Sequence, residues 1–192
     1  MQIRGKRWLP LALAAGTIPI VLALLMQAGF FSRNGLRLEV DRSERQLHVI
    51  ENGEVIQSYS IAVGTSSYPT PEGSFSISKI VWNPPWIPPD SDWAREEQPR
   101  APGDPANPMQ GVKLYFSEPA YFIHGTNDPQ SIGSAASHGC IRMEQSDAEA
   151  LARLLMERGG AAKSDDWFEK VRNNPTDTYV VILPNAIALE VD

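Results

Sequence analysis

The feature that most constrains this chain is a long stretch without charge. From Trp8 to Ser32 the sequence runs 25 residues with no Asp, Glu, Lys or Arg, directly after Arg4, Lys6 and Arg7. As a helix rising about 1.5 Å per residue, this run would reach roughly 37 Å, enough to cross a ~30 Å hydrocarbon core with some tilt. The bases ahead of it favour a cytoplasmic N-terminus and export of the remainder of the chain. The expectation is a cytoplasmic segment 1–7, then a transmembrane anchor (or uncleaved signal) over 8–31, then an exported region. A cleaved signal peptide fits less well, because Met26 occupies the outer small position of the best cleavage pattern. A buried core helix fits worst, with Pro10 and Pro19 inside it.

About 150 residues remain beyond the run, enough for one modest core. Taking Arg4, Lys6 and Arg7 from the 17 basic residues leaves 14 Lys and Arg against 23 Asp and Glu, a net charge of −9 for the exported part. Nucleic-acid affinity comes mainly from cationic neutralisation of phosphates, so this balance argues against a nucleic-acid partner. The single cysteine, Cys140, rules out an intramolecular disulfide. An isolated thiol is either a small buried core residue or a reactive group.

The pattern of the exported part is mainly β. Leu36 to Val40 alternates apolar and polar as a half-buried strand does. Gln46 to Ile50, the turn signal Asn52-Gly53, and Glu54 to Val63 predict a hairpin. A strand over Ser74 to Val81 would place Phe75, Ile77 and Lys79 on one face. Further strands are expected over Val112–Phe116, Tyr121–His124, Cys140–Met143 and Tyr179–Leu183, with a tail over 185–192. Ser146 and Glu149 form the S-x-x-E capping pattern ahead of Leu151, Leu154 and Leu155, and Gly159-Gly160 offers a left-handed stop. A second, weaker helix is expected from Asp165 to Val171. The class is α+β, dominated by strands, with one main flanking helix.

Segment 82–111 differs from its surroundings. It holds eight of the chain's 16 prolines and three of its five tryptophans, Trp82, Trp86 and Trp93. Connections of this length are usually functional or disordered, and disordered segments rarely carry such aromatics. The segment reads as a semi-rigid flap over a cleft, with Trp82 and Trp86 as candidate substrate contacts. Tryptophans that simply plug it onto the core would leave the same pattern.

Chemistry concentrates in Tyr121-Phe122-Ile123-His124-Gly125-Thr126 and Ser137-His138-Gly139-Cys140-Ile141-Arg142-Met143. Two of the three histidines and the only cysteine fall within 17 residues. On a strand, Cys140 and Arg142 share a face, and His138 joins them if the extended conformation continues through Gly139. Imidazole and guanidinium beside a thiol would stabilise its thiolate, the form that acts as nucleophile. Gly139 would let a substrate carbonyl approach and present its N–H, or that of Cys140, to a developing oxyanion. On spacing alone His138 is the first candidate for the thiol's partner. A zinc site on His124, His138 and Cys140 is the competing chemistry, although H-x-C spacing on an extended segment strains a tetrahedral ion. His48, alternating within a strand with no chemical neighbour, reads as structural.

The two motifs together, His124-Gly125-Thr126 and Ser137-His138-Gly139-Cys140-Ile141-Arg142-Met143, resemble the signature of the L,D-transpeptidase (YkuD-type) catalytic domain. Val63-Gly64-Thr65 with Thr70-Pro71-Glu72-Gly73, and Asn107-Pro108 ahead of Leu114-Tyr115-Phe116, are similar to that family's upstream segments. The resemblance covers about residues 36–184. It implies a β-sandwich of mixed sheets with a helix beside it and a cleft under a mobile cap. It implies a peptidoglycan enzyme in which Cys140 attacks the carbonyl joining the third stem residue to D-alanine and forms a thioester. An amine on another stem, or on a wall-attached protein, would resolve that thioester. By the same resemblance His124 is the general base, the Gly125 carbonyl orients it, His138 and Gly139 line the oxyanion region, and Ser137 and Arg142 meet substrate.

Spacing and resemblance thus disagree over the base, His138 against His124, and the resemblance is preferred: residues sharing a strand face need not point their reactive atoms at one another, whereas a neighbouring strand can place His124 directly opposite. Arg142 stands where many members carry Asn, and a guanidinium suits a carboxylate better than an amide does. The resemblance implies neither cofactor nor metal. Taken with the uncharged run and the bases ahead of it, the expectation is a domain in the periplasm or an equivalent extracytoplasmic space, tethered to the inner membrane. A water acceptor (an L,D-carboxypeptidase) and a non-enzymatic wall-binding module are the alternatives. A binder, though, needs no thiol beside a histidine.

Overall fold

The computed structural model describes residues 35–192. The anticipated anchor over 8–31 lies outside them, and no helix among the described residues is long and apolar enough to cross a membrane. Alternating side chains build β1 (Leu36–Asp41) and β2 (Gln46–Glu51), sending Leu36, Leu38, Val40, Leu47 and Val49 inward. Asn52 and Gly53 both take positive φ, 54° and 90°, as a two-residue hairpin turn requires, and lead into β3 (Glu54–Ser60). Next come β4 (Val63–Gly64), β5 (Gly73–Trp82), β6 (Gln110–Ser117) and β7 (Tyr121–Gly125). β8 (Ala135–Ser137), β9 (Ile141–Met143) and β10 (Tyr179–Val191) complete the strands. Two helices, α1 (Gln145–Arg158) and α2 (Asp165–Asn173), lie between β9 and β10.

The strands form one eight-stranded mixed sheet, in the order β3-β2-β1-β10-β5-β6-β7-β9, and a two-stranded parallel ribbon of β4 and β8. The class is mainly β, as the alternation predicts. The arrangement is one large sheet with a small ribbon rather than a pair of comparable mixed sheets, and it carries two helices. Inward residues from both ends of the large sheet, together with Leu151 and Leu155 of α1 and Phe168 of α2, join a single core.

Three local expectations fail for physical reasons. The tail over 185–192 is the second half of β10, running parallel to β1 and antiparallel to β5. Its alternation is hidden in sequence by the interruption at Pro184, which has no N–H to give. The β5–β10 register slips between Ile182 and Ile187, across that proline. The slip also moves Lys79 off the face of Phe75 and Ile77. Beyond it Ile80 and Trp82 take the core positions, and Lys79 turns outward to Tyr115. Finally, the Ser146–Glu149 capping box does not form. β9 stays paired through Met143, whose carbonyl accepts from Thr126 N–H at 3.0 Å, so the chain turns at Glu144 and Ser146 is already inside α1. The C-terminal stop is as expected: Ala161 N–H reaches the Met156 carbonyl (2.7 Å) and Gly160 N–H reaches that of Glu157 (3.3 Å).

Candidate active site

The site lies on the face of β6, β7 and β9 opposite the core. Val112, Leu114, Ile123, Ile141 and Met143 point inward, so their neighbours point the other way. Register aligns Lys113, His124 and Arg142 in one row across the three strands. Tyr115 and Phe122 form the next row, and Cys140, two residues before Arg142, falls beside them. Trp86, Met109 and Phe122 make a second small apolar cluster, against which Trp93, Tyr115 and Cys140 pack.

His124 is 2% exposed. Its Nδ1 lies 2.8 Å from the Gly125 carbonyl. A carbonyl only accepts, so Nδ1 carries the hydrogen and Nε2 keeps its lone pair. Burial drives its pKa down to about 3. The Gly125 and Pro108 carbonyls oppose that shift, and the charges of Arg142 and Lys113 add to it. The ring is therefore neutral at any physiological pH, in the tautomer a proton acceptor needs.

Cys140 is half-buried, and its thiol donates to the Ala120 carbonyl at 3.5 Å. Burial pushes the thiol up to about 11, while a Phe122 backbone hydrogen bond, Lys113 and Arg142 pull it back. The expected resting thiolate is thus replaced by a neutral thiol beside a neutral imidazole. Desolvation outweighs the two cations.

Gly139 breaks the extended run between His138 and Cys140. At φ +107° it leaves the extended conformation, and a Cβ there would stand 2.7 Å from the Tyr121 ring. His138 stacks on Trp93, with ring centroids 3.9 Å apart and planes 8° from parallel, and meets Tyr68 edge-on at 4.8 Å. His124, His138 and Cys140 therefore do not converge on one ion, and no metal-holding group of His, Cys, Asp and Glu occurs among the described residues. Replacing Gly139 with alanine should cost on the order of 1–3 kcal/mol through strain at this φ. Thermal unfolding of the variant checks this, and a melting point equal to the parent's would contradict it.

Ser137, expected to meet substrate, is buried and staples the turn. Its hydroxyl donates to the Cys140 carbonyl at 2.5 Å and accepts from Gly139 N–H at 3.1 Å. Gly139 N–H is thereby occupied by the Ser137 hydroxyl. Arg142 sits at the rim, 3.8 Å from Asp128, with its backbone N–H and carbonyl both bonded to Ala62. His48 lies 2.8 Å from the Ser58 hydroxyl, toward the far end of the sheet.

Within 82–111 the tryptophans divide. Trp82 is in the core, its indole N–H on Met156 Sδ at 3.3 Å, and does not line the site. Trp86 and Trp93 cover it. Paired backbone hydrogen bonds between Trp86 and Arg100, both 2.9 Å, stiffen the flap. Buried Asn107 closes its base, donating to the Pro84 and Ala101 carbonyls and accepting from Met109 N–H. A short 3-10 turn over Asp92–Ala94 delivers Trp93 to His138. Lys113 and Trp93 are site residues that motif reading misses. For Lys113 the one available signal is a lysine facing away from the apolar alternation of Val112, Leu114 and Phe116; for Trp93 nothing local distinguishes it from Trp82.

Residues 36–182 match the L,D-transpeptidase catalytic domain (YkuD). A putative L,D-transpeptidase, YkuD, from Bacillus licheniformis is 34% identical over 119 residues, 62% of this chain and 59% of that protein. The putative L,D-transpeptidase YqjB of Bacillus subtilis is 33% identical over 121 residues, 60% of this chain and 64% of its own length. The chain thus spans less than two-thirds of either relative. Among solved structures, an L,D-transpeptidase from Mycobacterium smegmatis superposes with a TM-score of 0.51 at 16% identity, covering 82% of this chain and 58% of its own. The Ldtfm–avibactam carbamoyl enzyme gives 0.53 at 16% identity, covering 82% and 49%. Both structural likenesses concern the fold.

Proposed function

Because this chain belongs to the L,D-transpeptidase catalytic-domain family through residues 36–182, we propose that it is a cysteine acyltransferase acting on peptidoglycan stem peptides. Cys140 is the nucleophile and His124 its proton acceptor. The thiol rotates off the Ala120 carbonyl and passes its proton to Nε2 of His124 as sulfur adds to the carbonyl between the third stem residue and D-alanine. The oxyanion takes the Cys140 N–H, and collapse breaks the C–N bond. The imidazolium returns the proton to the departing amine, so D-alanine leaves and a thioester remains. An acceptor amine on a second stem or a wall-attached protein then attacks the thioester. His124 carries its proton back to sulfur.

What supports this assignment above all is that Cys140 and His124 share one sheet face, with the tautomer of His124 set by its own strand's Gly125 carbonyl. Arg142, loosely held by Asp128, is placed to bind a substrate carboxylate, and Trp86 and Trp93 wall the cleft against water. The uncharged run over 8–31, with bases before it, supports a membrane tether and an extracytoplasmic domain. The full chain incubated with disaccharide-tetrapeptides should release D-alanine and carry an acyl mass on the peptide that contains Cys140. Absence of both products with folded protein would refute the assignment.

A further inference from the structure

Among the described residues, Lys113 is the one cation on the site face left without a carboxylate. It is 7% exposed, a depth at which lysine is rarely found unpaired. No hydrogen bond or ion pair holds it among the described residues. Its ammonium lies 4.2 Å from the centroid of Phe122 and 5.5 Å from that of Tyr115. The other charges on this face are accounted for. Lys79 is paired with Glu118 at 2.9 Å, Arg142 faces Asp128 at 3.8 Å, and His124 is neutral. Phe122 and Tyr115 form the row in which Cys140 lies, and Lys113 sits directly across from His124. An ammonium at the end of a nearly buried side chain, with ring faces beside it and no carboxylate, has charge to spare for an anion that appears in the same space.

We propose that Lys113 is a positioning residue for acyl transfer: its fixed ammonium, cradled by Phe122 and Tyr115, is the counter-charge of the Cys140 thiolate formed when His124 takes the thiol proton. Lys113 keeps its own proton throughout. The inference rests on Cys140 being the nucleophile, and it explains how a thiol this desolvated is ionised at all. With a pKa near 11, roughly one thiol in 10⁴ would be ionised at pH 7, so each contribution to the anion acts directly on rate. The interaction is mutual: burial lowers the ammonium to about 8, the Cys140 charge raises it, and Lys79 lowers it.

Alkylation of Cys140 by iodoacetamide across pH 6–11 tests this without any substrate. In the parent, reactivity should rise to about pH 8, bend as Lys113 loses its charge, and rise again as the remaining thiol ionises. Lys113→Met should lose the bend and react roughly tenfold or more slowly at pH 7. Lys113→Arg, whose charge does not titrate in this range, should also lose the bend but keep neutral-pH reactivity within a few-fold of the parent. Melting curves guard against misfolding, and Lys113→Gln serves if the methionine variant does not fold. A parent-like profile in Lys113→Met or Lys113→Gln overturns the inference. So does a variant whose stem-peptide KM rises while its alkylation profile stays unchanged, since that would make Lys113 a substrate contact. Failure of D-alanine release in the parent would instead refute the proposed function and leave the alkylation result intact.

Discussion

Replacing His124 with glutamine should slow acylation of Cys140 by roughly 10²–10⁴-fold, the range a positioned general base contributes. Glutamine approximates the ring's reach, with its amide near the position of Nε2, so the site stays filled and the fold should survive. What it lacks is a lone pair able to accept a full proton. Acylation by a carbapenem, followed as a mass increment against time, gives the rate directly. His138→Ala is the informative companion, because His138 is held in a stack on Trp93. Its loss should alter flap closure and slow acylation less than tenfold. If the two variants rank the other way, the base is His138. The pH profile supplies a second check. A base held near 3 is deprotonated well before pH 5, so no acid limb from this group should appear between pH 5 and 7. A base at the ordinary histidine value would lose activity as pH falls through about 6.5.

Trp82→Ala should show the opposite signature, a large loss of stability with the chemistry intact. The indole is 3% exposed and donates to Met156 Sδ. It meets Trp167 and Phe168 edge-on, with centroids 6.0 and 5.4 Å away. Removing a side chain so enclosed costs about 3–5 kcal/mol, since the transfer free energy is lost and a cavity remains. For a domain of this size that corresponds to roughly 6–20 °C in melting temperature. Below its own transition the variant should alkylate at Cys140 at the parent's rate. A drop in acylation without a drop in melting temperature would mean that Trp82 touches substrate after all.

These two tryptophan and histidine assignments show where sequence reading succeeds and stops. Alternation over Leu36 to Val40 and the Asn52-Gly53 turn located the first three strands, because period and turn chemistry are local. The motifs around His124 and Cys140 pointed to the family for a similar reason: few other arrangements place an imidazole, a thiol and a guanidinium so close along a chain. Local pattern also misled. An S-x-x-E sequence at Ser146 looks like a helix start, yet strand pairing through Met143 moves the start to Glu144. His138 is nearest the cysteine in sequence, but a single left-handed glycine turns it to the flap.

By itself, then, the sequence determined a strand-rich domain and the family whose motifs surround its single cysteine. Which tryptophans cover the face of Cys140, and that Lys113 stands on it across from His124, were decided by the tertiary structure alone. Those facts depend on how β6, β7 and β9 are registered against one another. Register comes from hydrogen bonds and packing between segments distant along the chain, and no local window of residues encodes it.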